Sequence, residues 1–180
     1  MKKIFITLVL ILSANTFFAQ SAFDKFDGQE DIATVIVNKK MFTMLGKMNV
    51  KDKEDQQYVN LIKKLDNLRV FVTESDKRSD EMRAASDKYI RSSSLDELMR
   101  MTEKGKSVKI YVKSGATDTQ VKELLMFVDN AGPKGQSVLM SLTGDFDLNE
   151  LSVLTDKMNL PGGDDLKKAS KGSKGPKGQK

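Results

Sequence analysis

Apolar residues change their spacing several times along this chain, and each change marks an element. Ile4 to Leu12 is apolar apart from Thr7, follows Lys2 and Lys3, and runs into a more polar stretch ending at Gln20. Ser21 to Asp31 is a short, polar, acidic lead-in. Ile32 to Val37 is nearly continuous and β-branched, which predicts a strand covered on both faces. Asn38 can cap a helix carrying Met41, Leu45 and Met48, and a second helix shows Tyr58, Leu61, Ile62 and Leu65 at i, i+3, i+4 and i+7. Leu68 to Thr73 reads as a strand, and Ser75 to about Arg91 as a helix presenting Met82, Ala85 and Tyr89. Glu97–Glu103 and Ser107–Lys113 predict two strands around the turn Lys104-Gly105-Lys106. Thr117 and Gln120 stand at capping-box spacing before Val121, Leu124, Leu125 and Val128, which predicts a helix ended by Ala131-Gly132-Pro133. Gln136 to Thr143 is a final strand. Asp147 and Glu150 then open a helix with Leu148, Leu151, Leu154 and Met158 on one face.

From Leu68 to Thr143 this order is strand, helix, strand, strand, helix, strand. The expected fold is therefore α+β, with a ferredoxin-like (split βαβ) sheet over residues 68–143. An N-terminal strand-helix-helix and a C-terminal helix extend it. Pro161-Gly162-Gly163 marks the end of a single domain over residues 21–163, and residues 164–180 read as a disordered Lys/Gly-rich tail.

The leader changes the picture most. A spanning helix needs about 20 apolar residues, and the run from Ile4 stops near half of that. The basic, apolar and polar zones follow the order of a removable signal peptide over residues 1–20, cut beside Gln20. Export to the periplasm or cell envelope is the expectation, with no transmembrane segment left after cleavage. The chain has no cysteine, so it can form no disulfide and cannot accept the usual bacterial lipid anchor; it is not a lipoprotein of that kind. Histidine and tryptophan are absent too. Triads of the Ser-His-Asp or Cys-His type cannot be built, and a metal site would rest on carboxylates, which suit Mg or Ca. A non-enzyme without a cofactor is expected. The formal charge of +5 is uneven: without Lys2, Lys3 and the six lysines from Lys167 to Lys180, 22 basic residues face 25 acidic ones. The body is mildly acidic and the tail basic, so no nucleic-acid partner is expected.

Several blocks resemble one family: Ser21-Ala22-Phe23-Asp24-Lys25-Phe26, Val37-Asn38-Lys39-Lys40-Met41-Phe42, Leu95-Asp96-Glu97-Leu98-Met99-Arg100, Val108-Lys109-Ile110-Tyr111-Val112-Lys113, Lys122-Glu123-Leu124-Leu125-Met126-Phe127 and Leu142-Thr143-Gly144-Asp145. Over roughly residues 21–170 the chain is similar to the domain-of-unknown-function 4252 family, small exported proteins found mainly in Bacteroidota. The resemblance implies an envelope location, no established activity and no functional residues to carry over.

Four features could carry function. Asp145, Asp147, Asn149 and Asp156 approach the spacing of an EF-hand loop, but Glu150 stands where glycine is needed, and a turn capped by Asp147 is the favoured reading. If the strands 68–73 and 107–113 are central neighbours, Leu68, Val70, Val72, Val108, Ile110 and Val112 face the helices. Arg69, Phe71, Lys109, Tyr111 and Lys113 then line the other face as an interaction surface. Such a face can stack RNA bases, although export and the missing Gly-aromatic run oppose it; cover of Phe71 and Tyr111 by the added N-terminal helices or the last helix is the favoured reading, with a partner subunit or a ligand as the alternative. The tail lysines Lys167, Lys168, Lys171, Lys174, Lys177 and Lys180 could hold an anionic surface, or merely solubilise the chain. Ten methionines suit either an adaptable surface or a core, with core packing favoured. The reading that follows is a binding or interaction protein of the envelope, its partner an envelope protein or an anionic surface, with homo-oligomers allowed. The alternatives are a structural or stress-response component without a small-molecule ligand, and a carboxylate-only enzyme.

Overall fold

The computed structural model describes residues 22–48, 50–103, 105–130, 135–158 and 161–172. The elements are β1 (Ala33–Asn38), α1 (Lys39–Leu45), α2 (Lys53–Ile62), β2 (Leu65–Thr73), α3 (Asp76–Ser93), β3 (Asp96–Glu103), β4 (Lys106–Ser114), β5 (Gln120–Asn130), β6 (Ser137–Asp147), α4 (Leu151–Met158) and α5 (Gly163–Gly172). The strands form one sheet in the order β1-β2-β6-β5-β4-β3, and every neighbouring pair is antiparallel.

Local chemistry explains the ends of these elements. The Asn38 side chain accepts from Met41 N at 3.1 Å and starts α1, and Ser75 caps α3 through Arg78 N. Gly105 turns β3 into β4 at φ +85°, a backbone that side chains rarely adopt. Asp147 accepts from Asn149 N, and Glu150 reaches back to Asp147 N, so the capping box at the end of β6 is present.

The ferredoxin-like order is corrected at residues 117–130. The chain forms strand β5 there, paired with β4 and β6, where a helix was expected. Thr117 does accept from Gln120 N, but inside a tight connection in which Gly115 N donates to Gln120 O at 2.6 Å. Val121, Leu124, Leu125, Met126, Phe127 and Val128 are all buried because the sheet is covered on both sides. A strand with two buried faces shows an apolar run without alternation, and such a run also fits the spacing of a helix. With β5 in place, β3 to β6 form a meander, and α3 carries the chain across the sheet from β2 to β3.

The first face packs Leu68, Val70, Val108, Ile110, Leu124, Met126, Met140 and Leu142 under Phe42, Leu61, Ile62, Leu151, Leu154 and Leu166 from α1, α2, α4 and α5. The second packs Phe71, Leu125, Phe127 and Leu139 under Phe23, Phe26 and Ile32 of the lead-in and Met82 and Tyr89 of α3. Phe26 meets Phe71 edge-on at 5.8 Å between ring centres, and Phe23 meets Tyr89 at 5.2 Å.

Two boundaries also move. β1 is not covered on both faces: Val35 and Ile36, which point to opposite faces, are both exposed, and among the described residues only β2 pairs with it. The chain does not leave the fold at Gly163: α5 continues to Gly172, Leu166 is fully buried, and Lys106 Nζ meets the buried Asp165 at 2.8 Å. Asp164 and Asp165 in its first turn favour helix there. Residues 173–180 of the expected tail, and the leader at 1–20, lie outside the described residues. Phe71→Ala should lower unfolding stability by about 3–5 kcal/mol, read as a lower denaturant midpoint at unchanged m; a loss well under 1 kcal/mol would contradict the packing of the lead-in on this face.

Candidate interaction surface

The alternation expected on β2 and β4 is present. Leu68, Val70, Val72, Val108, Ile110 and Val112 belong to the first face, and Phe71 and Tyr111 to the second. The two strands are not neighbours, however. β6 and β5 lie between them, three strand spacings or about 14 Å. Leu139 and Phe127 fill the gap beside Phe71, so the expected basic-aromatic cluster does not assemble. Phe71 is fully buried, and half-buried Arg69 is held by Asp24 of the lead-in. Tyr111 is half-buried and its Oη donates to Glu97 at 3.1 Å. Lys109 is half-buried and Lys113 exposed. The lead-in and α3, rather than the N-terminal helices or the last helix, supply the cover.

Of the tail lysines, Lys167 lies in α5, half-buried and 4.0 Å from Asp164. Lys168 and Lys171 are also in α5, their side chains outside the described set, and Lys174, Lys177 and Lys180 lie beyond it. At the EF-hand-like segment, Asp147 is occupied by Thr119 Oγ1 at 2.7 Å and by Asn149, while Asp145 accepts from Gln120 Nε2 at 2.7 Å. Burial would raise the Asp147 pKa, but these hydrogen bonds outweigh it and hold the carboxylate below its ordinary value. No group of three or more acidic residues among the described residues could hold a metal ion.

A different surface stands out. Among the described residues, the exposed large apolar side chains are Val35, Ile36, Met41, Met44 and Met48, each between 41% and 60% exposed. All five fall on β1, α1 and the turn after it. Helical spacing explains the methionines. Phe42 and Leu45 turn α1 toward the core, which leaves Met41 and Met44 on its flank and Met48 in line with them beyond its end. Met41 and Met48 share a helical spacing with Leu45, which predicts them inward; Phe42 fixes the buried side instead. Exposed lysines accompany the patch: Lys39, Lys40, Lys47, Lys51 and Lys53, with Asp52 among them. Lys39 is held by Asp66 at 2.7 Å.

The sequence reading also missed Glu123. It lies on β5 between Lys113 of β4 and Thr143 of β6, only 5% exposed, and its Oε1 has no partner. Desolvation raises its pKa, opposed by Tyr89 and Lys113, and burial raises the Tyr89 phenol as well. The signal becomes legible once β5 is a strand, because an acid then stands on a face whose next members are Leu125 and Phe127.

Residues 26–154 match the family model described as Domain of unknown function (DUF4252). No curated protein and no solved structure matches the chain.

The charged form of Glu123 is the one the fold disfavours, so its cost is absent below the ordinary glutamate pKa near 4.3 and grows as pH rises through the elevated value. Glu123→Gln should therefore be more stable than the wild-type chain at about pH 8, with the gap closing toward about pH 4. Thermal melts across that range would refute the assignment if the gap stayed constant or reversed.

Proposed function

The chain belongs to the domain-of-unknown-function 4252 family, and on that footing we propose that it is an exported, non-catalytic binding protein of the cell envelope that rests on an anionic lipid surface. The leader and the absence of cysteine and histidine support export and a non-catalytic role. The observation that carries the surface reading is the coincidence of exposed Met41, Met44 and Met48 with exposed Lys40, Lys47, Lys51 and Lys53. Apolar side chains that enter the headgroup region and lysines that meet its negative charge are the two halves of peripheral attachment, and neither suffices alone. The tail lysines from Lys167 to Lys180 add to the same attraction. No helix among the described residues is long and apolar enough to cross a membrane.

Glu123 does not make the protein a carboxylate enzyme in this reading. Its raised pKa arises from enclosure in the packed second face, and a catalytic acid must reach a substrate.

Co-sedimentation with vesicles tests the proposal. The protein should bind vesicles of phosphatidylglycerol and phosphatidylcholine at low salt, and not vesicles of phosphatidylcholine alone. Each lysine near the surface contributes about 1 kcal/mol, so Lys47→Gln/Lys51→Gln should weaken partitioning by about tenfold or more. Met41→Asp/Met44→Asp, on exposed positions, should abolish it. Failure to bind anionic vesicles, or binding indifferent to both pairs of substitutions, would overturn the assignment.

A further inference from the structure

We propose that β1 is a dimerisation strand, pairing antiparallel with β1 of a second copy about a two-fold axis through Val35. The two edges of the sheet are built differently. β3 carries Asp96, Glu97, Arg100 and Glu103, and its register slips between Glu97 and Met99. Charges and a bulge are the devices that keep an edge strand from pairing. β1 has neither. Ala33 to Asn38 contains no charge and no proline, keeps an unbroken six-residue register with β2, and leaves Val35 and Ile36 open to solvent. Among the described residues no strand pairs with its other side, so that side of the backbone offers N–H and C=O groups along a largely apolar run.

The flanks of β1 select the occupant. Glu30 and Asp31 precede the strand, Lys39 and Lys40 follow it, and all four are exposed. A two-fold axis normal to a sheet relates antiparallel strands through a pair of like residues. Centred on Val35, it sets Thr34 opposite Ile36 and Ala33 opposite Val37. Beyond the ladder, Glu30 and Asp31 of one copy then face Lys40 and Lys39 of the other. Parallel pairing would instead bring acid against acid. Lys39 already has Asp66, so Glu30 with Lys40 is the ion pair gained at each end. Such an interface is the same patch on both copies; it closes at two and cannot propagate. The axis also keeps both α1 helices on one side of the joined sheet, so the two methionine-lysine surfaces project from the same side.

Light scattering and sedimentation equilibrium on the protein purified from the producing cells test this. The expected result is a dimer whose population rises with concentration. Val35→Lys, which sets two like charges together on the axis, should leave a monomer with unchanged far-ultraviolet circular dichroism, and Ile36→Lys should act likewise. Lys40→Glu should weaken the dimer about two- to fivefold, the scale of an exposed ion pair, and adding Glu30→Lys should restore it. A monomer at every concentration, a dimer indifferent to Val35→Lys and Ile36→Lys, or no recovery in the charge swap would overturn the proposal. A monomer that still sediments with anionic vesicles would overturn the dimer and leave the lipid-surface reading standing.

Discussion

The fold depends on a sheet buried on both of its faces. β5 and β6 lie at its centre, and their side chains enter two separate cores: Met126 and Met140 on one side, Phe127 and Leu139 on the other. Antiparallel sheets commonly leave one face to water. Here the second face is closed by a single long helix and by ten or so residues of lead-in chain anchored through Phe23, Phe26 and Ile32. That segment is too short to be a layer alone, and the edge-on contacts of its rings with Tyr89 and Phe71 place it.

Polar groups also tie the layers together, some at the margins and some buried. Arg83 of α3 meets Asp129 of β5 through Nε at 3.1 Å and Nη2 at 2.6 Å and reaches Asp80 through Nη1, while Ser79 Oγ pairs with Ser137 Oγ at 2.8 Å beneath it. The two-point contact sets the position of the helix as well as attracting it. On the opposite face, Lys64 donates to both carboxylate oxygens of Glu150 at 2.9 Å, joining the start of β2 to the capped turn after β6. Glu123 departs from this pattern because its buried Oε1 has no partner, and its environment favours the neutral form.

Much of the architecture is legible in the residues because local chemistry and tertiary context agree. Asn38, Ser75 and Asp147 cap helices where their side chains predict, Gly105 turns the hairpin, and the apolar face of β2 is the one that alternation assigns. In β5 double burial erases alternation, so that Val121, Leu124, Leu125 and Val128 match a helix by spacing. That one element decides the topology, so the ferredoxin-like order and the adjacency of Phe71 and Tyr111 went with it. β1 shows the converse ambiguity: a β-branched run reads as covered on both faces whether or not other layers reach it, and the exposure of Val35 and Ile36 shows that they do not. The apolar patch escaped notice for the same reason, since exposure at Met41, Met44 and Met48 depends on which way Phe42 turns the helix.

The crossover made by α3 has a consequence for how the chain assembles. β3 to β6 are joined by short connections and can zip together from near neighbours. β2 must close against β6 across some seventy intervening residues, Val72 meeting Val138 and Leu68 meeting Leu142. Closing so long a loop delays pairing and slows the search. Until Asp147 has arrived, β2 has a companion on its β1 side alone, and the last strand of the sheet is also the wedge that seals its two halves into one body.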